Sequence, residues 1–184
     1  MNENTRLPND CFALPRGIAW TPVDKALERL KKGLSTLKQS ERVPVNNCLG
    51  RIIATSVYAI NSNPPFTNSA VDGYGFRGPA KYVENRLELM PGVAAAGNPF
   101  RGTVSQGSAL KVLTGAVLPD GVDTVFLEED VENITNNFVS FTGPLKAGAN
   151  TRNTGEDVKV GEKLFTAGHK IRPQDLALLT ATGI

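Results

Sequence analysis

The chain is poor in the residues that usually announce chemistry. Its 184 residues include one histidine, His169, two cysteines, Cys11 and Cys48, and one tryptophan. Two cysteines do not make a disulfide framework, and they read as free thiols of a reducing compartment. Two Cys and one His, far apart, do not supply a structural zinc site. A Ser-His-Asp reading needs His169 as its base, and the Ala167-Gly168-His169-Lys170 context reads as an exposed turn. No segment approaches the about 20 apolar residues of a membrane-spanning helix. Met1 to Asp10 is polar and lacks the apolar stretch of a signal peptide, so the cytoplasm is the expected compartment. Excess charge of one sign is missing too. Twenty basic side chains face 18 acidic ones, leaving +2, with no concentrated basic face for nucleic acid or a membrane surface.

What is present is a chain 40% hydrophobic and 21% charged, with 18 glycines and 12 prolines. That suits a protein with a core built from short elements. Residues 1–16 read as a proline-punctuated arm. Thr21-Pro22 then reads as an N-cap followed by a first-turn proline, with Asp24 favourable to the helix dipole. Val23, Ala26, Leu27, Leu30, Leu34 and Leu37 recur at helical spacing, opposite Lys25, Glu28, Arg29, Lys31, Lys32 and Lys38. The pattern predicts an amphipathic helix of about four turns with its stripe in a core, which Gly33 either ends early or is tolerated within. Glu41 to Val45 reads as a short strand, Asn46 to Gly50 as a turn or a short helical turn ending at Gly50, and Arg51 to Ala59 as strand or extended chain.

From Arg77 to Lys146 short apolar runs alternate with glycine and proline. Leu87 to Met90, Gly107 to Leu113, Thr124 to Leu127 and Phe138 to Phe141 are the predicted strands. Turns are predicted at Gly97-Asn98-Pro99, at Leu118-Pro119-Asp120-Gly121 and at Asn136-Asn137. This punctuation predicts a small β-barrel or coiled sheet. Pro173 opens a second helix carrying Asp175 in its first turn, and Gly183 suits its C-terminal cap.

The segment richest in chemical groups runs from Pro64 to Phe76. Two prolines stiffen its entry, and Phe66, Val71, Tyr74 and Phe76 are read as anchors against a core. Between them lie Thr67, Asn68, Ser69 and Asp72. A carboxylate on a loop pinned at both ends is a preorganised acid, base or metal ligand. Taken alone, Asp72-Gly73 reads as a tight turn. Three further polar sites carry their own alternatives. Thr114, before Gly115, is either a donor to an oxyanion or phosphate or an ordinary strand-end residue. Glu128-Glu129-Asp130 with Glu132 is either a Mg²⁺ cluster or a solvated acidic edge. Glu156-Asp157 either share a metal or orient a water, or they pair with Arg152 and serve structure alone.

In their order these motifs resemble one family. They are Pro64-Pro65-Phe66-x-x-Ser69-Ala70-x-Asp72-Gly73-Tyr74, then Leu113-Thr114-Gly115-Ala116-x-x-Pro119-x-Gly121-x-Asp123, then Arg152-x-x-Gly155-Glu156-Asp157, then Gly161, Leu164, Gly168, Ile171 and Pro173. The set resembles the N-terminal half of the molybdopterin molybdenumtransferases, the MoeA-type family related to the E domain of gephyrin, over about residues 17–184. Val71 stands where many members carry methionine, and Gly75 where alanine is usual, which is expected to loosen the loop slightly.

The resemblance implies a fold that is mainly β with flanking helices. Its β-sheets are bifurcated or coiled, and a barrel-like subdomain is inserted into a discontinuous, helix-containing one. The first subdomain would be residues 17–60 plus 147–184, and the second 61–146. The family's third and fourth subdomains would be absent, in keeping with a chain that stops at Ile184, one residue past a helix cap. The implied activity is insertion of molybdate into adenylylated molybdopterin with Mg²⁺, by a homodimer whose cleft lies between the second subdomain of one protomer and the third of the other. Asp72, Thr114 and Asp157 match the family's functional positions as catalytic residues. Ser69, Thr114, Gly115 and Glu156 would bind substrate, and Asp72 and Asp157 would hold Mg²⁺. A molybdopterin adenylyltransferase and recipient molybdoenzymes would be partners. The chain by itself is expected to be inactive. The competing readings are a non-catalytic scaffold module of gephyrin-like architecture and, behind it, a metal-dependent phosphohydrolase.

Overall fold

The computed structural model of the protein describes residues 21–35, 39–135 and 137–184. One compact unit ends at Arg42, and residues 43–184 form a second. The predicted arm and Cys11 lie outside the described residues.

In the first unit, α1 (Val23–Gly33) follows Pro22, which occupies the N-cap position expected for Thr21. It is shorter than the predicted four turns. Gly33 has a weak helix propensity, and Leu34 turns to extended backbone. Leu37 lies outside the described residues. The apolar stripe is not a core stripe here, because no residue of α1 is buried and Leu30 is 59% exposed. The strand predicted for Glu41 to Val45 does not form. Pro44 instead starts a 3₁₀ turn, Val45–Asn47, and Pro44 itself has no N–H for a ladder.

The second unit is organised by a six-stranded mixed sheet. Its strands are β3 (Gly73–Phe76), β4 (Glu84–Ala94), β5 (Ser108–Val112), β6 (Thr124–Leu127), β7 (Val131–Thr135) and β8 (Phe138–Thr142), in the order β6-β3-β5-β4-β8-β7. β4 and β5 run parallel and the other pairs antiparallel. The two edge strands, β6 and β7, are joined only by the 3₁₀ turn Glu128–Asp130. A sheet whose opposite edges are three residues apart in sequence has to curl. Phe126 of β6 accordingly stacks on Phe141 of β8, with ring centroids 3.9 Å apart. The predicted acidic edge is therefore the closing turn of this half-barrel. Pro91 and Gly92 (φ 117°) interrupt β4 where its register with β5 shifts.

Both faces of β3, β5 and β6 are covered. One face holds Tyr74, Phe76, Ala109, Phe126, Val139 and Phe141, and the other holds Ala94, Leu110, Val112, Ala116 and Val125. Burial on both sides explains the mostly apolar runs of β5 and β6. β3 was not predicted. Its sequence Gly73-Tyr74-Gly75-Phe76 is half glycine, and glycine is depleted in strands. Sterics supply the reason for the glycines. A Cβ on Gly73 would overlap the carbonyl oxygen of Phe126, and one on Gly75 would sit 2.7 Å from a Val122 methyl. Gly73 is thus a strand residue and not the second residue of a turn. Gly75 fits packed neighbours and does not loosen a loop.

Chain flanking the sheet closes on itself. β1 (Val57–Tyr58) pairs with β10 (Lys163–Phe165), and Ile52 bridges Lys170. The rest of the predicted Arg51–Ala59 strand lies outside any ladder, with a bend at residues 54–55. Phe165, Ile171 and Leu179 form a small core with Val45, Cys48, Ile53 and Val57. α2 (Pro173–Ala181) completes it, and at its start the Asp175 carboxylate accepts the Arg172 N–H (2.9 Å) while the Asp175 N–H donates to the Arg172 carbonyl (3.0 Å). His169 is not the exposed turn residue expected. Its ring stacks on Phe165 with centroids 4.6 Å apart, and Nε2 lies 2.7 Å from Asp175 Oδ2.

Candidate functional site

Residues 67–70 lie between two other segments and tie them together. On one side, Leu118 N–H donates to the Thr67 carbonyl, Ser69 N–H to Ala116 and Gly115 N–H to Ser69. On the other, β2 (Asn68–Ser69) pairs with β9 (Thr151–Arg152), and Ala70 N–H donates to Asn150. The three predicted motifs therefore meet along one short stretch of chain.

At one end of that stretch stands Asp72, exposed at the start of β3. Its Oδ1 accepts a hydrogen bond from the Thr114 amide and another from the Thr114 hydroxyl, each 2.6 Å long. Hydrogen bonds to the ionised form hold its carboxyl below the ordinary range. The Thr114 hydroxyl contributes most, then its amide, and the Lys111 charge adds to them. The Glu128 N–H donates to the Asp72 carbonyl (3.1 Å), which fixes the backbone. Gly115 is exposed beside Thr114, in the left-handed region (φ 79°).

Ser69 sits beneath this pair and is 1% exposed. Its hydroxyl donates to the Val71 carbonyl at 2.6 Å. It therefore shapes the loop from below and presents no group to solvent. Phe66, expected as an anchor, is 62% exposed, whereas Val71, Tyr74 and Phe76 do pack in the two cores.

At the other end, Arg152 holds both predicted carboxylates. Nε meets Glu156 Oε1 at 3.2 Å, and an Nη meets Asp157 Oδ1 at 2.5 Å. The pairing raises the Arg152 pKa, chiefly through Asp157 and then Glu156. Glu156 Oε2 also accepts the Asn153 N–H (3.0 Å), and Asp157 Oδ2 faces the Asn63 amide (3.4 Å). The Gly155 N–H donates to the Pro64 carbonyl, which fastens this turn to the entry of the loop. The arginine pairing read for Glu156 and Asp157 is formed.

Among the described residues no group of three or more His, Cys, Asp or Glu side chains is placed to hold a metal ion. Asp72 Oδ1 is occupied by Thr114, while both oxygens of Asp157 have protein partners. Asp72 thus suits Mg²⁺ only as a single carboxylate ligand. Asp157 does not fit while Arg152 holds it.

Sequence reasoning passed over Lys111. The signal was a single charge inside the apolar run Ala109 to Leu113. Its ammonium lies 2.6 Å from Glu128 Oε1 and 4.8 Å from the Tyr74 ring centroid.

Comparison with known proteins bears on what this arrangement serves. Residues 21–183 match the family described as MoeA N-terminal region (domain I and II). A molybdopterin molybdenumtransferase of Haemophilus influenzae is 32% identical over 163 residues, which is 88% of this chain and 40% of that protein. Gephyrin of Dictyostelium discoideum is 28% identical over 180 residues, covering 89% of this chain and 25% of its own length. Among solved structures, the molybdopterin biosynthesis moeA protein of Pyrococcus horikoshii OT3 superposes with a TM-score of 0.77 at 34% identity, over 90% of this chain and 45% of that one. The chain thus spans less than half the length of each of these relatives.

Proposed function

Because the chain belongs to the MoeA N-terminal region (domain I and II) family, we propose that it supplies the domain I and II part of a molybdopterin molybdenumtransferase. The reaction is insertion of molybdate into adenylylated molybdopterin with Mg²⁺. The carrying observation is the Asp72–Thr114 pair, joined through residues 67–70 to the Arg152–Glu156–Asp157 turn.

In this reading Asp72 is the reactive carboxylate. Held ionised by Thr114, it suits binding a cation or positioning a water near substrate phosphate. Mg²⁺ bound at Asp72 would neutralise phosphate charge as the adenylyl linkage is hydrolysed. The exposed Gly115 lets substrate approach the backbone beside Thr114. Arg152 keeps Glu156 and Asp157 oriented, and substrate binding through Glu156 or Asp157 requires the arginine to release one of them. Residues 17–60 and 147–184 would form the first subdomain and 61–146 the second. The site would be completed in a homodimer by the family's third subdomain, and a molybdopterin adenylyltransferase and recipient molybdoenzymes would be its partners.

A second reading, a non-catalytic scaffold module, draws on the gephyrin relative and on the arginine that occupies Glu156 and Asp157. Molybdenum insertion separates the two. The assay uses Asp72→Asn, Thr114→Ala and the unsubstituted sequence, each in a chain carrying the family's third and fourth subdomains, beside the 184-residue chain alone. Loss of insertion in Asp72→Asn, with the fold intact, is expected, and so is no turnover by the chain alone. Unchanged insertion in Asp72→Asn would overturn the role of Asp72. Turnover by the isolated chain would overturn the division of labour.

A further inference from the structure

Lys111 and Glu128 stand on the two segments that flank β3, and they meet across it. In the ladder Tyr74 lies opposite both Lys111 of β5 and Phe126 of β6. Residues directly opposite in an antiparallel pair share a face, so Lys111 and Tyr74 project to the same side. The Lys111 side chain is 19% exposed, and its ammonium passes over the Tyr74 ring to reach Glu128, which opens the turn after β6. The ammonium is buried and makes no hydrogen bond of good geometry, so the Glu128 carboxylate meets it as a counter-charge. The same Glu128 donates its N–H to the Asp72 carbonyl, and Thr114, which holds the Asp72 carboxylate, follows Lys111 by three residues.

From this geometry we infer that the Lys111–Glu128 pair is a clamp across β3 that positions the Asp72 carboxylate against Thr114. Lys111 acts through Glu128 and Tyr74 on the strand end that carries Asp72. It is a positioning residue and touches no reacting group. A surface ion pair of two mobile side chains would do little. This one differs because the lysine is largely shielded and its path is fixed by an aromatic face. The functional meaning of the clamp rests on the transferase reading, but its existence does not.

The test follows Asp72 and Thr114 by NMR in the 184-residue chain. Lys111→Met, Lys111→Arg and Glu128→Gln are compared at neutral pH through the Asp72 carboxyl-carbon shift and the exchange of the Thr114 amide. In Lys111→Met the Asp72 carboxyl carbon shifts and the Thr114 amide exchanges several-fold faster, while Val125 and Val139 amides in the sheet keep their protection. Lys111→Arg restores both signals. A purely structural lysine would shift all amides together and would not be rescued by arginine. If Lys111→Met fails to fold, Glu128→Gln carries the test, since Glu128 is 55% exposed and its loss leaves the cores intact. There the Lys111 side-chain protons leave the Tyr74 ring current and Thr114 exchange again rises. Unchanged Asp72 and Thr114 signals in either folded variant overturn the clamp. Because no molybdenum chemistry is read, a failure of the transferase reading leaves this result standing.

Discussion

Thr114 holds Asp72 twice through one oxygen, with its amide and its hydroxyl both 2.6 Å from Oδ1. The second carboxylate oxygen is thereby aimed, and the residue is biased toward its ionised form. The pair joins the end of β5 to the start of β3.

The first prediction concerns pH. The folded-state pKa of Asp72 lies below its ordinary value of 3.8. Its stabilising contribution is therefore fully present above that value and is lost as pH falls through the lowered one. In an NMR titration the Thr114 amide shift should report a midpoint below 3.8. Thr114→Ala keeps the amide bond and removes the hydroxyl, so its midpoint should rise toward the ordinary value. A midpoint unmoved in Thr114→Ala would show that the hydroxyl does not hold Asp72.

Gly73→Ala should destabilise the second unit by about 3 kcal/mol or more, because the added methyl meets a carbonyl oxygen of the neighbouring strand. Gly33→Ala, with nothing within 4 Å of the new Cβ, should be neutral or stabilising by up to about 1 kcal/mol. Urea unfolding compares the two. Equal effects would contradict the close packing of β3 on β6.

Two phenylalanines should part company in the same experiment. Phe126 is fully buried among Tyr74, Phe76 and Phe141. Phe126→Ala should cost about 3–5 kcal/mol. Phe66→Ala, at a 62% exposed side chain, should stay within about 0.5 kcal/mol. A large loss at Phe66 would indicate that it is covered in solution.

Asp175 gives a second pH signature, far from Asp72 in sequence. Side-chain hydrogen bonds from Arg172, then from His169, hold its carboxyl well below the usual carboxylate range. The contribution is present above the ordinary value of 3.8 and fades as pH falls toward the lowered one. Unfolding followed by α2 helicity should show the unsubstituted chain losing its advantage over Asp175→Asn as the solution is acidified below pH 3.8. A stability gap independent of pH in that range would place the Asp175 contribution elsewhere than in its charge.

Sequence reading reached the elements whose cause is local. The runs at Leu87 to Met90, Thr124 to Leu127 and Phe138 to Phe141 lie in or coincide with strands, and Gly107 to Leu113 overhangs β5 by one residue at each end, because apolar and β-branched residues between turn formers favour a pleated, buried surface. α2 was legible from Pro173, Asp175 and Gly183 for the same kind of reason. β3 was not legible, since its glycines answer to a carbonyl on β6 and a valine at 122. Nor was the role of His169, whose stacking and carboxylate partner come from tertiary contact. The length of α1 is open in the sequence because Gly33 can end a helix or be tolerated within one, and the extended backbone of Leu34 shows that it ends there.

The order of the polar motifs and the residue types at Asp72, Thr114, Glu156 and Asp157 were determined by the sequence alone, and with them the family. Tertiary structure decided how those groups are used. It set Thr114 on Asp72, sank Ser69 beneath the loop, gave Glu156 and Asp157 to Arg152, and drew Lys111 across Tyr74 to Glu128. The physical reason is range. Residue type and spacing constrain the backbone over a few positions, whereas a carboxylate's partner is chosen by strand pairing that brings together residues 42 apart in the chain.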